Sequence, residues 1–103
     1  RQKRTFKEIS KYPSVRRDIS ILVDQAVEAA DIKKIAVETL GEVLISSVIF
    51  DVYHGDGMLD SQKSVGLGLT LQRQKATLNE QEINDLASAV IDALRDKLGA
   101  TLR

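Results

Sequence analysis

Two carboxylates and one histidine are the side chains of this 103-residue chain that could support catalysis. Asp18 and Asp51 lie in segments that alternate apolar and polar residues, so they could meet on adjacent strands as an acid–base pair or a metal site. Arg16 stands two residues before Asp18, and solvated or arginine-paired carboxylates are the favoured interpretation. His54 stands alone in a turn sequence, and one histidine cannot build a multi-histidine metal site. The sequence therefore predicts no catalytic residues and no metal site.

Composition excludes several other classes of protein. The chain balances 15 Lys and Arg against 15 Asp and Glu, and 43% of its residues are hydrophobic, which is typical of one compact core rather than of disorder. It has no cysteine, which excludes disulfide scaffolds, zinc fingers, iron–sulfur sites and thiol nucleophiles. No apolar run approaches the ~20 residues of a membrane span, and no signal peptide is visible. Because the chain starts at Arg1, we expect a piece of a longer protein.

The charges are distributed unevenly along the chain. Residues 1–17 hold seven basic residues and one acidic residue, whereas the remainder holds eight basic and fourteen acidic residues. A basic leading segment on an acidic body is typical either of a phosphate-facing arm or of a solvated linker, and the composition alone favours the linker. We therefore divide the chain into a basic lead-in at 1–12 and one folded domain at 13–103.

Hydrophobic periodicity predicts six elements that must position these side chains. Alternation with period two predicts strands, and apolar residues at i, i+3 and i+4 predict helices. In chain order the elements are a strand at 15–24, a helix at 29–40, strands at 43–53 and 64–72, a helix at 80–98 and a short strand within 100–103. The order β-α-β-β-α-β predicts an α+β, ferredoxin-like fold: a four-stranded antiparallel sheet with two helices on one face.

Capping residues mark the ends of the second helix. Asn79 with Glu82 three residues later forms one possible capping box, and Thr77 with Glu80 forms a competing one. Gly99 is suited to the position just past the helix end, where a positive φ is easiest for glycine.

The two faces of the predicted sheet should differ, because successive side chains of a strand point to opposite faces. The apolar set that should face the helices is Ile19, Ile21, Val23, Val48, Phe50, Val52, Val65, Leu67, Leu69 and Leu71. The opposite, uncovered face should carry Arg16, Asp18, Ser20, Ile49, Asp51, Tyr53, Ser64, Gly66, Gly68, Thr70 and Gln72. Gly66 and Gly68 mark either a close approach to the backbone by a partner or room for a bulky cross-strand neighbour such as Tyr53. The third strand has no aromatic residue, which argues against an ordinary RNA recognition motif.

Several short motifs resemble those of one family. They are YPSVRRDI at 12–19, FDVY-x-G at 50–55, KS at 63–64 leading to Gln72, TL at 77–78 with EIN at 82–84, and GATLR at 99–103. In this order and spacing they resemble the ferredoxin-fold anticodon-binding domain at the C-terminal end of bacterial phenylalanyl-tRNA synthetase β subunits. The resemblance covers nearly the whole chain from residue 6.

The resemblance implies a binding module that is not an enzyme by itself. Such a domain recognises the anticodon region of the phenylalanine tRNA through its sheet and positions that tRNA for aminoacylation on the α subunit. The implied partners are that tRNA, the rest of the β subunit and the α subunit in a cytoplasmic heterotetramer, with no membrane. ATP and Mg²⁺ are implied for the parent enzyme and no cofactor for this domain. The tRNA-binding residues that the motifs and the predicted open face supply are Arg16, Arg17, Asp18, Ser20, Asp51, Tyr53, Lys63, Ser64, Gly66 and Gly68.

Chemical roles follow for some of these residues. Arg16 and Lys63 would contact phosphates or carbonyl edges of bases, Asp18 or Asp51 would accept hydrogen bonds from a guanine, and Tyr53 would stack on a splayed base. An internal salt-bridge network is the alternative for the Arg-Arg-Asp run. Two other functions also stay open: a small-molecule regulatory domain that binds ligand between paired domains, and a structural domain whose open sheet face covers another domain.

Overall fold

One four-stranded sheet with two helices organises the protein, in a computed structural model that describes residues 12–55 and 60–103. The elements are β1 (Val15–Asp24), α1 (Ala29–Leu40), a 3-10 turn (Gly41–Val43), β2 (Leu44–Tyr53), β3 (Gln62–Leu71), α2 (Glu80–Leu98) and β4 (Thr101–Leu102). The predicted helices and strands agree with these bounds to within two residues. The predicted lead-in at 1–12 lies outside the described residues except for Tyr12, and it stays a prediction.

The strand order in the sheet is β2-β3-β1-β4, and every neighbouring pair is antiparallel. β1 and β2 are therefore parallel and are joined through α1, while β3 and β4 are parallel and are joined through α2. Right-handed crossovers of both units place the two helices on one face of the sheet. This topology confirms the predicted α+β, ferredoxin-like fold.

The hydrophobic core lies between that face and the helices. Each helix contributes one apolar stripe, and β3 contributes every second residue because successive side chains of a strand point to opposite faces of the sheet. The principal buried side chains are Ile19, Ile21, Val23, Ile32, Ile35, Ala36, Val65, Leu67, Leu69, Leu71, Val90 and Leu94. Neither of the two helices in the described part of the chain is long and apolar enough to span a membrane.

The ends of α2 have the geometry that the sequence predicts. The Asn79 side chain accepts a hydrogen bond from the Glu82 N–H at 2.8 Å, and the Glu82 side chain accepts one from the Asn79 N–H at 3.0 Å. This reciprocal pair is a capping box, so Asn79 rather than Thr77 begins the helix. Gly99 ends it with φ 71° and ψ 20°, and its N–H donates to the Arg95 carbonyl at 2.9 Å.

β2 differs from the prediction in which side chains face the core. Ile49, predicted on the uncovered face, lies opposite Leu67 and packs against the core. Val48 and Phe50, predicted in the core, are 44% and 48% exposed. The register shifts between Ile49 and Asp51, because a β-bulge places one extra residue opposite Gly66. The predicted sides of Val48, Ile49 and Phe50 are therefore wrong.

Candidate functional site

The sheet face away from the helices, called here the open face, brings together most of the predicted site residues. β1 alternates across the sheet and places three of them on this face, and β2 places two more there after its bulge. β3 supplies the remaining three from the middle of the sheet. The eight predicted residues on the open face are Arg16, Asp18, Ser20, Asp51, Tyr53, Ser64, Gly66 and Gly68.

Arg17 and Lys63 lie on the other side of the sheet. Arg17 is opposite Leu69, and its Nη1 donates a hydrogen bond to Asn84 Oδ1 of α2 at 2.8 Å. The Lys63 Nζ donates to the Val27 carbonyl oxygen at 2.5 Å. These two cations connect the sheet to neighbouring segments on the helix side, and the structure does not bring them to the open face.

Arg16 lies across β3 in a fixed arrangement. Its Nε donates to Asp18 Oδ1 at 2.6 Å, an ion pair in which both side chains are about half exposed. The guanidinium lies over Gly68, where an added Cβ would collide with it. Its central carbon is also 5.5 Å from the centre of the Phe50 ring, within the range of a cation–π contact. The Arg16–Asp18 pair therefore fits the predicted internal salt bridge and leaves a half-exposed guanidinium on the open face.

Phe50 lies over Gly66 on the same face. A Cβ added at Gly66 would lie 2.7 Å from Phe50 Cζ, so glycine leaves the space that the ring occupies. Bulky cross-strand neighbours thus cover both glycines, but they are Phe50 and Arg16 rather than Tyr53. Sequence reasoning missed Phe50 as a site residue because its position depends on the bulge, which alternation alone does not reveal.

Tyr53 forms the second aromatic surface of the open face. It lies opposite Ser64 and is 45% exposed. The guanidinium carbon of Arg103 is 5.5 Å from the centre of its ring. The Arg103 N–H donates to the Ser20 carbonyl at 2.9 Å, which extends the pairing of β4 along β1. Arg103 was not predicted as a site residue, since only the tertiary pairing of β4 brings it to Tyr53.

Asp18 and Asp51 do not lie on adjacent strands. β3 separates them, because Asp18 is opposite Gly68 and Asp51 is opposite Gly66. With neighbouring strands about 4.8 Å apart, the backbones of β1 and β2 are about 10 Å apart. The predicted adjacency of their strands is therefore wrong. Within residues 12–55 and 60–103, no group of three or more His, Cys, Asp or Glu side chains could hold a metal ion.

The two carboxylates differ in their availability. Asp18 is engaged by Arg16, whereas no ion pair or hydrogen bond within the described ranges engages the exposed Asp51 side chain. Ser64 is only 4% exposed, and Gly66 is also buried. The exposed chemistry of the open face is thus two aromatic rings, two guanidinium groups and a carboxylate with no partner among residues 12–55 and 60–103. Such groups are typical of surfaces that bind single-stranded nucleic acid.

Comparison with known protein families finds one family that covers almost the whole chain. The family model described as the ferredoxin-fold anticodon binding domain matches residues 10–103, which include every element of the sheet. The chain belongs to this family. The resemblance inferred from the sequence motifs is thereby confirmed, and the strands that form the open face lie within the matched region.

The anticodon-binding domain is also similar to curated phenylalanine–tRNA ligase β subunits. It is 43% identical over 99 residues to the subunit of Bacteroides fragilis, a match that covers 96% of this chain and 12% of the relative. It is 41% identical over 98 residues to the subunit of Pseudomonas savastanoi pv. phaseolicola, covering 95% of this chain and 12% of the relative. The subunit of Aliivibrio fischeri is 41% identical over 95 residues, covering 92% and 12%. The chain therefore spans about an eighth of the length of these relatives.

Proposed function

We propose that the open face binds the anticodon loop of a phenylalanine tRNA and holds that end of the tRNA for aminoacylation elsewhere in a larger enzyme. The observation that carries this proposal is that Asp51 and Tyr53 lie side by side on the same face of β2. Asp51 is exposed and unengaged within the described residues, and Tyr53 is half exposed two residues later. A stacking ring beside a hydrogen-bond acceptor matches a base that is both splayed out and recognised by its edge.

Each side chain suits one feature of a GAA anticodon. The Watson–Crick edge of guanine presents N–H donors, and the Asp51 carboxylate is an acceptor for them. The Tyr53 ring supplies the stacking surface, and stacking of one base on an aromatic ring contributes about 1–3 kcal/mol. Asp18 is the weaker candidate acceptor, because Arg16 already donates to it at 2.6 Å.

Positive charge on the open face supports phosphate contacts. Arg16 and Arg103 both lie there, each 5.5 Å from an aromatic ring centre. An arginine beside a stacking ring can contact a phosphate while the ring holds the base. The lead-in at 1–12 adds basic residues in the sequence and is a further candidate for such contacts.

The names of the relatives support a wider assignment. In this proposal the domain works within a phenylalanine–tRNA ligase, with the rest of a β subunit and an α subunit in a heterotetramer in the cytoplasm. ATP and Mg²⁺ would be used on the α subunit, and this domain would bind no cofactor of its own.

An amide NMR titration of the labelled chain tests the function. One sample receives an anticodon stem-loop carrying GAA and another receives the same stem with a scrambled loop, both at low salt. We expect larger shifts for GAA at 16–20, 51–53 and 64–68. In parallel, Tyr53→Leu should weaken GAA binding by about fivefold or more, whereas Val52→Ala, on the other side of the same strand, should leave binding unchanged.

Two outcomes would contradict the proposal. Shifts confined to residues 1–11 and equal for both loops would indicate a nonspecific basic arm. The structural docking alternative would then become the favoured function of the open face. Equal binding of both loops through 51–53 would show that the face binds RNA without recognising the anticodon.

A further inference from the structure

A second aromatic surface lies on the open face beside Tyr53, and its position suggests a second nucleotide subsite. We propose that Phe50 and Arg16 together form a base-stacking subsite for the anticodon nucleotide next to the one that stacks on Tyr53. This inference rests on the proposed function and assigns a role to Phe50, which belongs to the FDVY-x-G motif but was predicted to face the core.

The bulge of β2 and the glycines of β3 hold the ring in place. Phe50 is the extra residue opposite Gly66. The end of its ring lies so close to the backbone there that a Cβ added at Gly66 would be only 2.7 Å from Phe50 Cζ. The side chain nevertheless stays 48% exposed. The ring is therefore supported from below by the sheet and open to solvent above, which is the arrangement that a base-stacking surface requires.

Arg16 extends this surface toward β1. Its guanidinium lies over Gly68, is held by Asp18 at 2.6 Å and is 5.5 Å from the ring centre. Arginine planes stack on bases as aromatic rings do, and they add a positive charge for the adjoining phosphate. Because Asp18 fixes the guanidinium before RNA arrives, little side-chain entropy is lost on binding.

The backbone positions from which the two rings extend are spaced like successive nucleotides. Tyr53 lies opposite Ser64 and Phe50 lies over Gly66, two residues along the same strand. Two residues of a β-strand span about 6.6 Å, which is comparable to the step between neighbouring nucleotides in an unstacked single strand. RNA-binding sheets use such pairs of rings to stack neighbouring bases. The Phe50 subsite increases the affinity and holds the nucleotide in place, but it does not distinguish one base from another, because every base has a face that can stack.

The test combines protein variants with abasic RNA. Equilibrium binding is measured for the 103-residue chain and its Phe50→Leu, Phe50→Tyr and Tyr53→Leu variants. The ligands are the GAA stem-loop and three versions with an abasic nucleotide at the first, second or third anticodon position. Phe50→Leu should weaken binding of the intact loop by about fivefold or more. When the base that stacks on Phe50 is missing from the RNA, Phe50→Leu should change the affinity little. Tyr53→Leu should likewise change the affinity little when the neighbouring anticodon base is missing. Phe50→Tyr, which keeps the ring, should bind like the wild type.

Thermal unfolding of each variant separates binding from stability. If Phe50→Leu lowers the melting temperature strongly, Phe50→Trp provides a second readout, because the chain has no other tryptophan. Its fluorescence should be quenched by the intact stem-loop and by only two of the three abasic versions.

Three results would overturn the inference while leaving the proposed function intact. In the first, Phe50→Leu weakens binding of all four RNAs equally. In the second, Phe50→Leu leaves binding of the intact loop unchanged. In the third, the effects of Phe50→Leu and Tyr53→Leu disappear with the same abasic nucleotide. Failure of the wild-type chain to prefer GAA over a scrambled loop would instead overturn the proposed function, and the inference with it.

Discussion

At the scale of single residues, glycine occupies positions 68 and 99 for two different reasons. Gly68 lies in the extended strand β3 and leaves space for the Arg16 guanidinium. Gly99 has φ 71°, and a Cβ added there would meet no other atom within 4 Å, so its constraint is the backbone conformation. An alanine at each position therefore tests a different property.

Gly99→Ala should destabilise the domain. A left-handed conformation costs a non-glycine residue about 1–2 kcal/mol, which corresponds to a fall in melting temperature of about 4–8 °C for each kcal/mol in a domain of this size. Gly68→Ala is the matched control. The half-exposed Arg16 guanidinium would have to shift from its place over β3, but the strand backbone accepts alanine, which suits a strand better than glycine by about 0.5–1 kcal/mol. Thermal unfolding followed by circular dichroism measures both. A Gly99→Ala protein as stable as the wild type would contradict the cap geometry.

Asp51→Asn should reduce the preference for guanine in the anticodon. A hydrogen bond to a charged acceptor contributes about 1.5–3 kcal/mol, so binding to GAA should fall by about tenfold or more, while binding to a loop without guanine should change little. Asp92→Asn is the control, because it removes one negative charge from α2, where Asp92 pairs with Arg95. Competition binding with the two loops measures the ratio. Equal loss for both loops would contradict recognition of guanine by Asp51, because removal of a negative charge by itself would strengthen binding to RNA.

Sequence patterns placed some residues on the open face correctly and missed others. Tyr53 and Asp51 were placed correctly because they follow the bulge, so their alternation is unbroken to the end of β2. Phe50 and Arg103 were missed, because one depends on the bulge and the other on the pairing of a two-residue strand. Local periodicity contains neither kind of information.

At the scale of elements, the helices and strands were predictable because local signals agree. The apolar stripe of α2, its Asn79 cap and its terminal Gly99 all indicate the same helix. β2 is the exception: it is an edge strand with two register shifts, and the alternation of Val48, Ile49 and Phe50 gives no sign of them. Its faces could be assigned only from the pairing with β3.

Asn79→Ala should shorten or destabilise the start of α2. Loss of an N-cap side chain costs about 1 kcal/mol. Thr77→Ala is the control, because the sequence offers Thr77 as a competing cap and the structure does not use it. Chemical denaturation should give a lower midpoint for Asn79→Ala and an unchanged midpoint for Thr77→Ala. The reverse order would mean that the helix begins two residues earlier in solution.

At the scale of the whole molecule, equal numbers of acidic and basic residues limit the affinity for RNA. Positive charge near the proposed subsites comes from Arg16 and Arg103. Two phosphate contacts to a single strand give a slope of about −1.4 for the logarithm of the association constant against the logarithm of salt concentration.

Binding to the GAA stem-loop should therefore weaken only about sevenfold between about 50 and 200 mM salt. Titrations at several salt concentrations measure the slope, and a chain that begins at Tyr12 serves as the comparison. A slope steeper than about −3 for the full chain, restored to about −1.4 by the shorter one, would assign the additional contacts to residues 1–11.

The bulge in β2 also makes Phe50 dispensable for the sheet. Ile49 pairs with Leu67 and Asp51 pairs with Gly66, which are consecutive positions on β3. Deletion of Phe50 alone would join Ile49 to Asp51 in an uninterrupted ladder and keep both on their present sides. Deletion of Ile49 would instead leave Phe50 to fill a core position. One single-residue deletion in this strand is thus compatible with the fold, and the residue that can be lost is the one assigned to the second nucleotide.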